Sequence, residues 1–480
     1  MLADRNLDKN ENSLRELLFN SSDFKSSDFG SNDRRYRLFY LDSMIDDKSV
    51  QEFIIRPLLN NTNVSVRQAV SILDYNETEL LSIASNALIE GKSVVQIDGQ
   101  PKFYLLRTEL VKERPVNSPI NERVLRGSHK AFNENLNTNL NIIRNLVATP
   151  DLVVKTFQVG RRSNTKVALL YLQSLANDVV LHEFERRIAN IDIDYIDAPG
   201  FFQELIQDKK NFSLFPKTLV TERADRVKSY LMDGKIGCFI DGTPECAFVP
   251  ISFWAFFQSP DDYQVSWLFG SLLRFLRILC FIIAISLPGI YVALVTFDPR
   301  VLPLEIALTL QSSMQYVSMP PVLEAITMLA ILEVLKEATV RLPNPIGQTI
   351  GVVGGIVIGT VVVQSNLISN MMVIITALTG IASFIIPSYE MSNIARLLAY
   401  PFIFMAAVFG LIGLEISYLL VLTHLSRMNT IGIPYFYNWF NGDTIKDTIF
   451  RAPIWSMKKR PIESLAKDEI RMENPRSETE

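Results

Sequence analysis

Three cysteines and three histidines in 480 residues leave little material for disulfide or metal chemistry. Cys238, Cys246 and Cys280 form neither a disulfide framework nor a metal-ligand spacing, and His129, His182 and His424 are scattered. The chain lacks a Gly-x-x-x-x-Gly-Lys-[Ser/Thr] loop. Its Gly91-Lys92 and Gly234-Lys235 pairs read instead as the start of strands. With no recognisable nucleophile, metal or phosphate constellation, no catalytic residue, cofactor or metal is assigned, and an enzyme is not expected. Nor is a nucleic-acid partner. Residues 1–33 contain no apolar h-region, so no secretory signal is expected and the front of the chain is placed in the cytoplasm. Charge is the last scarcity. From Ile278 to His424 only eleven of 147 residues are charged, against 20% for the whole chain.

That imbalance divides the sequence into a soluble half and a membrane half. The soluble half contains two echoes. Glu90-Gly91-Lys92 precedes Ile97-Asp98-Gly99-Gln100-Pro101 at the same spacing at which Asp233-Gly234-Lys235 precedes Ile240-Asp241-Gly242-Thr243-Pro244. Each copy reads as a helix ending at glycine, a strand, an Asp-Gly turn and a second strand. Leu38–Ser43 resembles Leu169–Ser174 in the same order. The expected fold is α+β: tandem α/β subdomains at 34–115 and 150–256, followed by a polytopic α-helical membrane domain at 278–424 with about five apolar segments. A flexible N-terminus (1–33), a polar linker (116–149), a connector (257–277) and a cytoplasmic or disordered tail (425–480) complete the division.

Within the membrane half the expected spans are Ile278–Phe297, Pro321–Val340, Ile346–Val363, Leu367–Pro387 and Leu397–His424, with Val301–Val317 interfacial. Five crossings from a cytoplasmic front would place Lys458-Lys459-Arg460 outside, against the positive-inside tendency. Either Pro321–Val340 is then re-entrant, or Val301–Val317 also crosses. Gly347, Gly351, Gly355 and Gly359 recur every four residues. In a helix each such step rises roughly 6 Å and turns about 40°, which makes one stripe without side chains suited to close helix packing in lipid.

The preceding segment carries Glu324, Glu333, Lys336, Glu337 and Arg341. Ionised groups at mid-bilayer cost at least about 2.5 kcal/mol each on insertion scales, so this helix is expected to meet a polar path or protein. The carboxylates are ion-path candidates. The alternative is local pairing, Glu337 with Arg341 and Glu333 with Lys336. Val362, amid Val361–Val363, is a candidate constriction. Gln364, Asn366 and Asn370 form either a polar pore collar or a connecting loop.

Several stretches resemble the A subunits of GerA-type nutrient germinant receptors of spore-forming Firmicutes. They are Met319–Glu324, Arg341–Gln348 running into the glycines, Thr221-Glu222-Arg223 with Asp225-Arg226, Asp241–Pro244 and Ser259–Tyr263. Arg126-Gly127 with Phe132, Glu134, Asn139 and Arg144 matches the signature between the subdomains. Ser128, Ala224, Ser266 and Leu329 depart from the family pattern. The resemblance implies a spore inner-membrane subunit with a transporter-like B partner and a lipoprotein C partner, self-associating in a lipid membrane into a homo-oligomeric ring that conducts cations. The rival reading is a scaffold that relays the partner's state without conducting.

Overall fold

The computed structural model describes residues 1–473 except 32–33, 61–63, 71, 73, 110–118, 120–121, 123, 125, 198, 208–212, 342–353, 357–358 and 437–445. The first sheet contains β1 (Phe24–Ser31), β2 (Arg34–Leu41), β3 (Tyr75–Thr78), β4 (Lys92–Ile97) and β5 (Phe103–Arg107), antiparallel throughout, in the order β1-β2-β4-β5-β3. Successive side chains of a strand point to opposite faces. Phe39 and Leu41 of β2 therefore join Leu14 of α1 (Leu7–Leu17) and Leu88 of α2 (Leu81–Ile89), while Tyr36 and Leu38 join Ile54 and Leu58 behind the sheet.

The second sheet repeats this plan. β6 (Leu152–Val159), β7 (Thr165–Leu172), β8 (Leu219–Thr221), β9 (Ile236–Ile240) and β10 (Cys246–Val249) lie in the order β6-β7-β9-β10-β8. Helices α3 (Leu136–Leu146) and α5 (Ala224–Met232) cover one face, and α4 (Asp178–Ala189) covers the other. The sequence echoes occupy equivalent joints. Gly91 and Gly234 follow α2 and α5 with φ of +82° and +87°, where a side chain would be strained.

The two sheets are clamped together. Arg144 of α3 is 1% exposed and reaches Asp23 of the first unit at 2.8 Å, while the Ser22 N–H donates to the Val154 carbonyl of β6 at 2.7 Å. Burial disfavours the charged form of Asp23, but Arg144 and the hydroxyls of Ser21 and Ser43 outweigh it and hold the carboxyl below its ordinary value.

Two terminal expectations need correction. Residues 1–33, expected to be flexible, carry α1 and β1. Asn6 caps α1 by accepting from Asp8 and Lys9, and the helix buries Leu7 and Leu14. Only three of its eleven residues, Leu7, Leu14 and Leu17, are apolar, so the segment reads as polar. The tail, expected to be cytoplasmic or disordered, is ordered over 446–473, where it folds back on the second sheet unit; only the disordered alternative is corrected. Lys235 donates to Glu463 at 2.7 Å, with both side chains buried or nearly so, and Arg471 meets Asp233 at 3.0 Å.

The membrane half holds α6 (Trp267–Thr296), α7 (Leu304–Met314), α8 (Pro321–Arg341), α9 (Gly354–Gln364), α10 (Asn370–Ile385) and α11 (Tyr389–Arg427). Among the described residues, α6 and α11 are long and apolar enough to cross a membrane. α9 and α10 are apolar but shorter, and α8 is too charged to qualify. Five such spans are therefore not seen. α6 begins eleven residues before the expected span. Its early arginines, Arg274 and Arg277, are buried against Asp262 at 3.2 and 2.6 Å rather than marking an interface. Gly289 lets α6 approach α11 closely: a Cβ there would meet Leu414 at 2.8 Å and the Phe402 carbonyl at 3.2 Å. α11 breaks at Gly410 (φ 59°, ψ −141°).

One hydrophobic core runs from α3 and the second sheet through Trp254, Phe257 and Phe281 into α6 and α11. After α11 the chain returns to that sheet unit. Thr430 Oγ1 donates to the Ile251 carbonyl at 3.2 Å, and the Phe253 N–H donates to the Tyr435 carbonyl at 3.0 Å.

Candidate ion path and family membership

The three carboxylates of α8 meet three different fates. Glu324, in the first turn, is fully buried between helices. Its Oε2 accepts from the Ser369 N–H at 3.3 Å and from the Ser369 hydroxyl at 2.9 Å, and that hydroxyl lies 2.8 Å from the Tyr291 hydroxyl of α6. Oε1 has no hydrogen-bond partner among the described residues. Apolar Val292, Met328, Ile368 and Met372 belong to the same cluster as Tyr291. A carboxylate held this way positions two helix starts and is not open to solvent.

Glu333, two and a half turns later, accepts from Arg396 Nε of α11 at 2.9 Å and keeps 49% of its side chain exposed. Lys336 donates to Asn393 at 2.8 Å and lies 4.8 Å over the Tyr389 ring, so the expected Glu333–Lys336 pair gives way to partners on α11. Glu337 pairs with Arg341 at 2.6 Å, one turn apart and exposed, as the local alternative supposed.

The proposed collar is a tight turn between α9 and α10. Asn366 takes φ +52°, and its carbonyl accepts the Ser318 N–H at 3.0 Å. The Ser365 and Leu367 N–H groups close the end of α9 onto Val361 and Val362 at 2.9 and 3.2 Å. Ser369 caps α10 by accepting from Met372 at 3.2 Å. Gln364, Asn366 and Asn370 are exposed around this turn, and Val362 is half-buried against the Tyr291 cluster. Glu324 thus fastens the base of α8 to the turn that ends α9.

Of the glycine ladder, Gly347 and Gly351 lie outside the described residues. A Cβ at Gly355 or Gly359 would meet nothing within 4 Å, whereas one at neighbouring Gly354 would meet Leu335 of α8 at 2.9 Å. α9 therefore packs on α8 through Gly354, and the Gly355/Gly359 side meets no neighbour among the described residues. Sequence reasoning did not find Arg396, Ser369 or Tyr291. Only Arg396 had a visible signal, as a rare charge directly ahead of the last apolar run.

The profile described as Bacillus/Clostridium GerA spore germination protein matches residues 12–463. Spore germination protein B1 of Bacillus subtilis is 34% identical, covering 98% of this chain and the whole of that protein. Spore germination protein A1 of the same organism is 35% identical over 94% of each chain. The N-terminal domain of the A subunit of the Bacillus megaterium spore germinant receptor GerK3 is also similar, at 26% identity over 53% of this chain and 98% of that one, with a TM-score of 0.40. With both sheets and the apolar helices inside the matched region, this chain belongs to the GerA family of spore germination proteins, among the A-type subunits.

Proposed function

We propose that this chain is the A subunit of a nutrient-gated germination receptor and oligomerises in the spore inner membrane, its sheet units cytoplasmic, to form a cation-conducting channel. A transporter-like B subunit and a lipoprotein C subunit complete the receptor. The observation that carries this reading is the open Gly355/Gly359 face. A stripe built for close approach, with nothing against Gly355 or Gly359 among the described residues, calls for a helix from a neighbouring copy. Val361–Val363 at the end of α9 then forms the apolar constriction, and Glu333 and Glu337 draw cations toward it. Nutrient binding shifts the ring between two packings by contacting them unequally. Cysteines at exposed Ile356 and Val361 test the ring: cross-linking into species larger than dimers is expected, and a strictly monomeric pattern defeats it. Recording from the purified receptor in planar bilayers tests conduction. An otherwise active complex without nutrient-dependent current would leave only the scaffold.

One observation favours that second reading of a non-conducting relay: every α8 carboxylate is already paired or buried. Neutralising Glu333 and Glu337 separates the two. A pore changes its ion selectivity, whereas a relay releases ions with unchanged selectivity.

A further inference from the structure

The tail does more than return to the sheet. Residues 447–456 run beside the first turns of α6. The Asp447 carbonyl accepts from Arg274 at 2.5 Å and from Gln258 at 2.7 Å, its carboxylate meets the Tyr263 hydroxyl at 2.6 Å, and Ser271 donates to the Arg451 carbonyl at 2.8 Å. This anchoring leaves Phe450, Ile454 and Trp455 48%, 51% and 46% exposed, on the stretch tied to the end of α6 where Trp267 and Leu268 are also exposed. Large apolar side chains gathered in the open mark a binding surface. Trp at the end of an apolar helix marks the membrane–water boundary.

Directly beyond Trp455 lies a cavity of about 230 Å³, between α5, the approach to α6 and the tail. Seven cationic and four anionic side chains line it, seven minus four leaving an excess of three positive charges. Four of the cations, Lys235, Arg471, Arg226 and Arg460, are matched by Glu463, Asp233, Glu122 and Asp468, so the lysines at the mouth carry the charge open to a ligand. Exposed Lys458 and Lys459 stand at its rim, next to the apolar residues.

We infer that Phe450–Lys459 and this cavity form a binding site for an anionic phospholipid, with Ile454 and Trp455 seated at the acyl boundary and the lysine-rimmed cavity receiving the phosphate headgroup. A soluble phosphate would be served by the lysines alone. The apolar rim, continuous with the membrane helix, is what selects a lipid. The inference rests on the reading that α6 crosses the bilayer.

The test uses the full chain carrying Trp267→Phe and Trp439→Phe, reconstituted in phosphatidylcholine vesicles with and without phosphatidylglycerol, and reads tryptophan quenching by brominated lipid. Brominated phosphatidylglycerol is expected to quench more than brominated phosphatidylcholine at equal content. The difference should vanish in Trp455→Phe and weaken about fivefold for each lysine neutralised in Lys458→Gln/Lys459→Gln. Equal quenching by the two lipids, or a difference that survives in Trp455→Phe, overturns the proposal. So does loss of the difference on adding glycerol phosphate, which would assign the cavity to a free anion. An alkaline wash separates the two layers of argument. A chain that stays in the vesicles but shows no lipid preference sinks the lipid site alone, whereas a chain that washes off sinks the membrane reading beneath it.

Discussion

Arg144 sets the residue-scale energetics of the soluble half, because it reaches between the sheets with almost no access to water. It spends its donors on Asp23, Ser21 and the Leu152 carbonyl. Removing one member of a buried pair strands the other, at a typical cost of 3–5 kcal/mol, so Arg144→Met should lose about that much stability in a denaturant titration. Acid should act through the same pair. The folded value for Asp23 lies below its ordinary 3.8, so its contribution is complete above that pH and fades as pH falls below it. Proteolytic sensitivity of the Phe19–Phe24 segment that carries Asp23 should rise in that window in the wild type and be high at all pH values in Arg144→Met. In the membrane half, Glu324→Gln keeps an acceptor for Ser369 and should be tolerated, whereas Glu324→Leu should release the α9–α10 turn and lower the thermal midpoint in detergent. The carboxylates were visible in the sequence as unusual charges. Their partners were not: Ser369 lies 45 residues from Glu324 and Arg396 lies 63 from Glu333, and no spacing rule spans such distances.

For elements, the glycine helix gives the sharpest contrast. Gly354→Leu collides with Leu335 inside the chain and should disturb the α8–α9 packing of an isolated subunit. A Cβ at Gly355 meets nothing among the described residues, so on the proposed assembly a loss in Gly355→Leu comes from a neighbouring subunit. Its chain should fold normally by circular dichroism yet lose assembly in light scattering. A Gly355→Leu subunit that assembles normally would leave the ladder without a purpose in the oligomer. Sequence periodicity serves elements well where the pattern is local. The Gly-Lys and Asp-Gly echoes mark the joints of both sheets because turns depend on a few adjacent residues. It serves poorly at the ends. The early part of α6 was concealed by arginines that bury themselves against Asp262, and α1 by having only three leucines among eleven residues.

Across the whole molecule, the second sheet, α6, α11 and the tail share one core, so a disturbance at one end is felt at the other. Lys235→Met leaves Glu463 buried without its cation and should free the tail. Faster trypsin cleavage near Lys458 and Lys459, with the first sheet untouched, is the expected outcome. The hydrogen bonds from Thr430 to Ile251 and from Phe253 to Tyr435 have a consequence that reaches beyond stability. They fix the departure point of the membrane half, before Trp267, and its landing point, after Arg427, to the same soluble body. A path that leaves and regains one shore crosses the water an even number of times. On the proposed reading that α6 and α11 cross the bilayer, an even number of traverses closes the circuit and five does not. Reporters fused ahead of Met1 and after Glu480 should therefore be labelled from the same side of the bilayer.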